Sequence, residues 1–110
     1  MPEPAGGSPD DALEVVDVPD GPGGEARFEA RLDGEVAAWL AYRRRGDLLV
    51  LVHTQAEPAF SGRGVASRLV GEVLERARRE GARVAPLCPY VQDWMGRHPG
   101  YDDLLHRPRS

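Results

Sequence analysis

The residues best placed to do chemistry run Phe60-Ser61-Gly62-Arg63-Gly64-Val65-Ala66-Ser67. An apolar run over residues 48–52 comes shortly before them, and an amphipathic helical pattern follows directly. A strand, a glycine-rich turn and the start of a helix together make a cradle for an anion. The first N–H groups of a helix have no partner inside it, and the helix dipole gathers positive partial charge there. Glycine lets the main chain approach the anion with no Cβ in the way and accepts φ > 0. The spacing therefore predicts a loop that grips a pyrophosphate.

Two familiar phosphate devices do not fit. A Walker-type loop needs a lysine after its last glycine to reach the terminal phosphates, and all 14 basic residues of this chain are arginine. The dinucleotide fingerprint needs a third glycine three residues after the second. That position holds Ser67, and 110 residues leave little room for a large open parallel sheet.

The elements that must position this loop are legible from pattern. Residues 13–18 form a short strand candidate, ended by Pro19-Asp20-Gly21-Pro22-Gly23-Gly24. Ala26, Phe28, Ala30 and Leu32 alternate with Arg27, Glu29 and Arg31, the period of a half-buried strand. Asp33-Gly34 supplies a tight hairpin turn, and residues 36–42 return with apolar side chains on both faces. The run 48–52 is apolar enough to predict a central strand buried on both sides. From about 65 to 80, Ala66, Leu69, Val70, Val73, Leu74 and Ala77 make one stripe at helical spacing. Glu72 with Arg76 and Glu75 with Arg79 are i,i+4 pairs on its wet face. Gly71 inside it costs roughly 1 kcal/mol against alanine, a cost tolerable for close packing on the sheet, and Gly81 ends it. A strand over 83–87, broken by Pro89, should lie parallel to 48–52 through a right-handed crossover, and a shorter helix over about 90–97 follows. The expected fold class is α/β, an α+β sandwich in which an antiparallel meander feeds one βαβ unit, with few helices.

Gly62-Arg63-Gly64-Val65-Ala66 resembles the pyrophosphate loop of the GNAT acetyltransferase superfamily, whose pattern is Gln or Arg, two residues, Gly, one residue, then Gly or Ala. Gly64 and Ala66 take the two small positions, and Ser61 stands where the family usually has Gln or Arg. The flanking segments His53-Thr54, Pro58-Ala59-Phe60, Pro86-Leu87-Cys88-Pro89-Tyr90 and Arg97-His98-Pro99-Gly100-Tyr101 resemble a small, compact branch of that superfamily. The resemblance covers residues 19–107 and implies a mixed GNAT-like sheet. Only residues 19–25 separate the first two strand candidates, where the family normally inserts one or two helices that help cover the acceptor site. The resemblance thus implies an open acceptor pocket, or one completed by a second chain.

What the resemblance implies about activity is acetyl transfer from acetyl-CoA to a small-molecule or protein amine. Thr54, Phe60, Gly62, Arg63, Gly64, Val65, Ala66, Ser67 and Arg68 would then hold the coenzyme. The thioester would lie in a wedge between residues 51–54 and 87–88. His53 would stand near the acetyl group, and histidine as a residue type, with an ordinary value of about 6.5, suits a general base; the alternative is a strand-end histidine satisfied by a carbonyl. Glu57 is a second base candidate, and Gln55 cannot serve. Cys88 would flank the thioester, where a thiol can take an acetyl group or a mixed disulfide, or simply pack as a small hydrophobe. Trp94 aligns with the position of the family's acid tyrosine and has no transferable proton, which leaves Tyr101 and Tyr90 as substitutes. The alternative function is a coenzyme A-binding or sensing module without turnover. A third reading is a phosphate-binding interaction domain unrelated to coenzyme A.

Composition narrows the rest. A chain of 110 residues with 41% hydrophobic content supports one modest core. The net charge of −4 offers no basic footprint for nucleic acid. No apolar run approaches the ~18 residues of a membrane span. Residues 1–12, acidic and rich in Pro and Gly, read as a disordered lead-in unlike a secretory signal. The lone Cys88 cannot form an internal disulfide, so a reducing cytoplasm is the expected compartment, with no metal site and a monomer or homodimer as the assembly.

Overall fold

The computed structural model describes residues 13–107; the expectation for residues 1–12 lies outside them. Five strands, β1 (Leu13–Val18), β2 (Arg27–Leu32), β3 (Glu35–Arg45), β4 (Leu48–Ala56) and β5 (Arg83–Pro86), form one sheet in the order β1-β2-β3-β4-β5. The first four pair antiparallel and β4 with β5 parallel. Helix α1 (Val65–Glu80) makes the crossover between the parallel strands, and α2 (Pro89–Gly96) follows β5. Short 3-10 turns occupy Pro22–Gly24, Pro58–Phe60 and Pro99–Leu104. A single parallel bridge from Leu105 to Val84 covers part of the outer edge of β5. This is the mixed, helix-poor α+β sheet that the pattern predicts.

The core lies between one face of the sheet and α1. Phe28, Ala30, Leu40, Leu49 and Leu51 from the strands meet Leu69, Val70, Val73, Leu74 and Ala77 from α1, all buried. A fully buried Leu or Phe contributes about 1.5–3 kcal/mol, so this interface dominates stability. Val65, rather than Ala66, is the first buried residue of the stripe. α1 crosses β2, β3, β4 and β5, while α2 packs on α1, β4 and β5, so both helices share one face. The opposite face carries Arg27, Glu29 and Arg31 of β2, Trp39 of β3, and His53 and Gln55 of β4, and no α-helix covers it among the described residues.

Several details depart from the sequence reading. The strand over 48–52 runs on to Ala56, and it is not buried on both sides: Leu49 and Leu51 are buried but Val50 and Val52 are half-exposed. Its polar continuation, Thr54 and Gln55, stays paired with Leu40 and Trp39 of β3. Gly71 makes room for Trp94 of α2 rather than for the sheet, because a Cβ there would stand 3.4 Å from Trp94 Cζ2. Arg76 leaves the wet face. Its guanidinium donates to the carbonyl of Val15 on β1 and lies 5.9 Å over the ring of Phe28. Pro89 opens a helix rather than only stopping a strand, since its missing N–H costs nothing in a first turn.

Candidate functional site

The parallel ladder between β4 and β5 stops abruptly. Its last pair is Leu51 with Pro86. Beyond it, the Leu51 carbonyl accepts from both the Leu87 and Cys88 N–H, at 2.9 and 3.1 Å. The chain then turns into α2 at Pro89, whereas β4 continues along β3. The two strands therefore part at one carbonyl and leave a wedge between them. On the β4 side the register with β3 slips: Tyr42 pairs with Leu51 but Ala41 with His53. Val52 is thus the extra residue of a β-bulge and has no partner across the ladder. Bulges free main-chain groups and re-aim the side chains beside them, and this one sits at the mouth of the wedge.

The glycine-rich loop opens onto α1 on the helix face. Gly62 and Gly64 both adopt positive φ, +83° and +74°, and Gly64 is the N-cap of α1. No side chain caps this start. The N–H groups of Val65, Ala66 and Ser67 have no acceptor within the helix, and they leave the buried stripe toward an exposed loop. A Cβ at Gly62 or Gly64 would meet nothing within 4 Å, so the space before the helix is open. Arg63 is exposed, its guanidinium 5.5 Å from the Phe60 ring, and Phe60 itself packs on the edge of the core. Arg68, also exposed, lies one residue past the first-turn amides. Together these gather positive charge and amide donors at the exposed start of α1, the kind of helix end that favours an anion.

Cys88 is 2% exposed and lines the inner end of the wedge, where its Sγ–H points at Thr54 Oγ1 across the gap, 3.4 Å away. His53 is on the opposite, helix-free face. It is exposed, its Nε2 lies 3.4 Å from Gln55 Oε1, and its ring tilts at 5.4 Å from that of Trp39. Thr54 is the link between them in sequence, bonded to Cys88 on one side of the strand while its neighbour His53 faces the other. Leu87, 62% exposed, and the exposed Tyr90 lie on either side of Cys88 and Pro89 in the chain.

Tyr101 is not brought to this group. Its hydroxyl donates to Glu75 Oε2 at 2.6 Å, in the third turn of α1, and its ring tilts against Trp94. The bond to Glu75, with burial, raises its pKa above the ordinary tyrosine value, which makes it a weaker acid. Ser67 is half-buried and accepts a hydrogen bond from Trp94 Nε1 at 2.8 Å. A groove of about 330 Å³ continues from Ser67 along α1, past Gly71 and Glu75, with Trp94 and Tyr101 as its far wall.

Sequence reasoning missed Trp39. Its indole donates to Glu57 at 3.2 Å, and the Arg27 guanidinium lies 4.9 Å over its ring. The available signal was a lone large aromatic on the return strand, in register with Glu29 and Gln55 on the polar face. Glu29 on that face is 5% exposed. Burial pushes its pKa up, but hydrogen bonds from Arg31 and Arg27 outweigh it and hold the carboxyl below its usual range. No group of three or more His, Cys, Asp or Glu side chains is set to hold a metal ion among the described residues, and no helix there is long and apolar enough to cross a membrane.

Comparison with known proteins gives the chain a family and its fold a set of neighbours. The family model described as GCN5-related N-acetyl-transferase matches residues 27–104. Protein NATD1 from Bos taurus is 33% identical over 75 residues, a match that spans 66% of this chain and 66% of that relative. The solution structure of a GCN5-like protein from Staphylococcus aureus superposes with a TM-score of 0.64 at 19% identity, over 89% of this chain and 92% of that one. The ribosomal-protein-alanine N-acetyltransferase of Brucella melitensis gives 0.53 at 14% identity, over 78% and 64%. At such identities the two structures speak for the fold.

Proposed function

Because the chain belongs to the GCN5-related N-acetyltransferase family, we propose that it binds acetyl-CoA and transfers the acetyl group to an amine. The observation that carries this reading is the wedge that opens past Leu51, with the uncapped start of α1 on one side of the sheet and His53 on the other. The diphosphate rests on the amides of residues 65–67, with Arg63 and Arg68 beside it. The pantetheine arm enters the wedge between residues 51–54 and 87–88. An arm anchored on the helix face and laid in the wedge outside the Cys88–Thr54 contact brings its thioester toward the face that bears His53. The N–H of Val52, the bulge residue without a partner in the β3 register, is the donor for the developing oxyanion.

The acceptor amine approaches over Trp39 and His53. Its nitrogen attacks the carbonyl carbon, the C–N bond forms, and His53 takes the proton that the nitrogen loses. The C–S bond breaks and coenzyme A leaves as a thiolate. An ordinary thiol pKa is about 8.5, so this leaving group departs near neutral pH without a protein acid. That fits Trp94 in the acid position and Tyr101 committed to Glu75. Cys88 forms the inner wall and holds Thr54 in place. The acceptor is a small amine or an exposed protein amine, admitted by a face that no helix among the described residues closes.

The test is calorimetric titration with coenzyme A, alongside release of free thiol from acetyl-CoA against a panel of amines. Binding with amine-dependent release supports transfer. Binding with no release above hydrolysis supports the sensing module instead. Equal affinity for a nucleoside diphosphate refutes coenzyme A specificity.

A further inference from the structure

Trp94 has no transferable proton, yet it is held more firmly than a packing residue needs to be. It is 5% exposed, lies against Gly71, and stacks on His98 with ring centroids 3.7 Å apart and planes 13° from parallel. His98 is itself fixed through Nδ1, 2.7 Å from the Trp94 carbonyl. So clamped, the indole Nε1–H donates to Ser67 Oγ at 2.8 Å, from α2 across to the first turn of α1.

The chemistry of this bond is one-directional. Indole nitrogen is a donor only, whereas a hydroxyl has one proton and two lone pairs. Ser67 Oγ must therefore accept from Trp94, and its own proton cannot return along the same bond. Ser67 is the third residue of α1, and helical side chains tilt toward the N-terminus. Its hydroxyl thus lies beside the unpaired amides of residues 65–67. A free serine there has competing uses, such as bonding back to main-chain carbonyls. Accepting one bond also polarises the O–H and strengthens the next bond it donates.

We propose that Trp94 is a positioning residue for the diphosphate loop: by donating to Ser67 Oγ, it fixes the Ser67 hydroxyl as a proton donor to the bound diphosphate. The proposal rests on the coenzyme A reading above and adds to it a specific role for the residue that replaces the family's acid. It also ties α2, whose N-cap is Cys88 at the wedge, to the loop that anchors the other end of the same ligand.

The experiment is a double-mutant cycle read by calorimetry with coenzyme A. Trp94→Phe keeps an aromatic ring beside His98 but deletes the donor, together with the Cζ2 and Cη2 atoms that face Gly71. It should weaken binding about tenfold, which corresponds to ~1.4 kcal/mol. Ser67→Ala should weaken binding by at least as much, and the double variant should be no weaker than Ser67→Ala alone, because both changes act through one hydroxyl. The chain has two tryptophans, so its ¹H–¹⁵N spectrum holds two indole peaks, and Trp94→Phe assigns them. The Trp94 peak should move on adding coenzyme A to the unaltered protein and stay still in Ser67→Ala. Unchanged affinity in Trp94→Phe, or losses that multiply in the double variant, overturns the proposal while leaving coenzyme A binding intact. If Trp94→Phe does not fold, Trp39→Phe assigns the two peaks instead, the spectrum of Ser67→Ala decides, and a Trp94 peak that still moves overturns the proposal. Failure of the unaltered protein to bind coenzyme A removes the proposed function and this proposal together.

Discussion

Replacing Gly64 by alanine separates what the loop does for the fold from what it does for a ligand. Gly64 has φ +74° and ψ 14°, the left-handed region, which costs an L-residue roughly 1–2 kcal/mol. The new methyl meets nothing within 4 Å, so no clash adds to that cost. Against a stability of about 5–15 kcal/mol the variant stays folded, and for a domain of this size its melting temperature should fall by roughly 4–16 °C. The empty space that makes the methyl harmless is where the anion is proposed to lie. If the main chain relaxes away from positive φ, the amides of residues 65–67 turn from the site. If it does not, the methyl stands in front of them. Either way at least one hydrogen bond to a charged group is lost, worth about 1.5–3 kcal/mol, so the dissociation constant for coenzyme A should rise about 10- to 150-fold. Calorimetry at fixed ionic strength measures the affinity, and a thermal melt without ligand measures the fold. A lowered melting temperature with unchanged affinity refutes the assignment of the loop.

Three further outcomes are expected. His53→Gln should lower kcat by about 10²- to 10⁴-fold with little change in coenzyme A affinity; a kcat within threefold of the unaltered value removes His53 as the base. Cys88→Ala should keep turnover, and Cys88 should resist alkylation in the folded protein, since its thiol is closed off behind Thr54; an acetyl adduct on Cys88 after acid quenching would restore the covalent route. Tyr42 donates to Asp17 Oδ1 at 2.5 Å, and burial together with that bond pushes its pKa up to about 12. Its protonated form is thus favoured in the folded state, so this stabilisation is complete below the unfolded value of about 10 and lost as pH rises toward 12. The stability advantage over Tyr42→Phe should therefore shrink between pH 10 and 12, and a constant gap across that range contradicts the argument.

How far the sequence spoke depended on how local each signal was. β1 and α1 begin and end where the turn residues from Pro19, the apolar stripe and Gly81 place them, because each is decided by residues next to one another. The two-residue turn at Asp33-Gly34 is equally local, and both residues have positive φ. β4 was read short because apolar content marks burial, not pairing, and its polar end is held by hydrogen bonds to β3 that composition does not encode. The bulge at Val52 leaves no mark in the sequence, since one extra residue in a ladder becomes visible only with its partner strand. Arg76 and Glu75 were assigned to helix-surface pairs by spacing, but Val15, 61 positions away, and Tyr101, 26 away, offered partners that spacing cannot see. The loop was found because glycine spacing is local, and its tie to Trp94 was not, because 27 positions separate the two residues.

The short link over residues 19–26 has a consequence for how such a protein can change its substrate. It leaves the sheet at the end of β1, in the row of the sheet that runs through Arg27 and Ala41 to His53, and it carries none of the residues proposed to hold the coenzyme. The entropic cost of lengthening a loop grows slowly, about 0.6 kcal/mol per doubling. A helix or a longer segment grafted there could roof the acceptor face while the parts that bind the acyl donor stay as they are. On the proposed function, donor chemistry and acceptor choice thus lie in separate parts of the chain, and the second can be rewritten by insertion at one point without rebuilding the first.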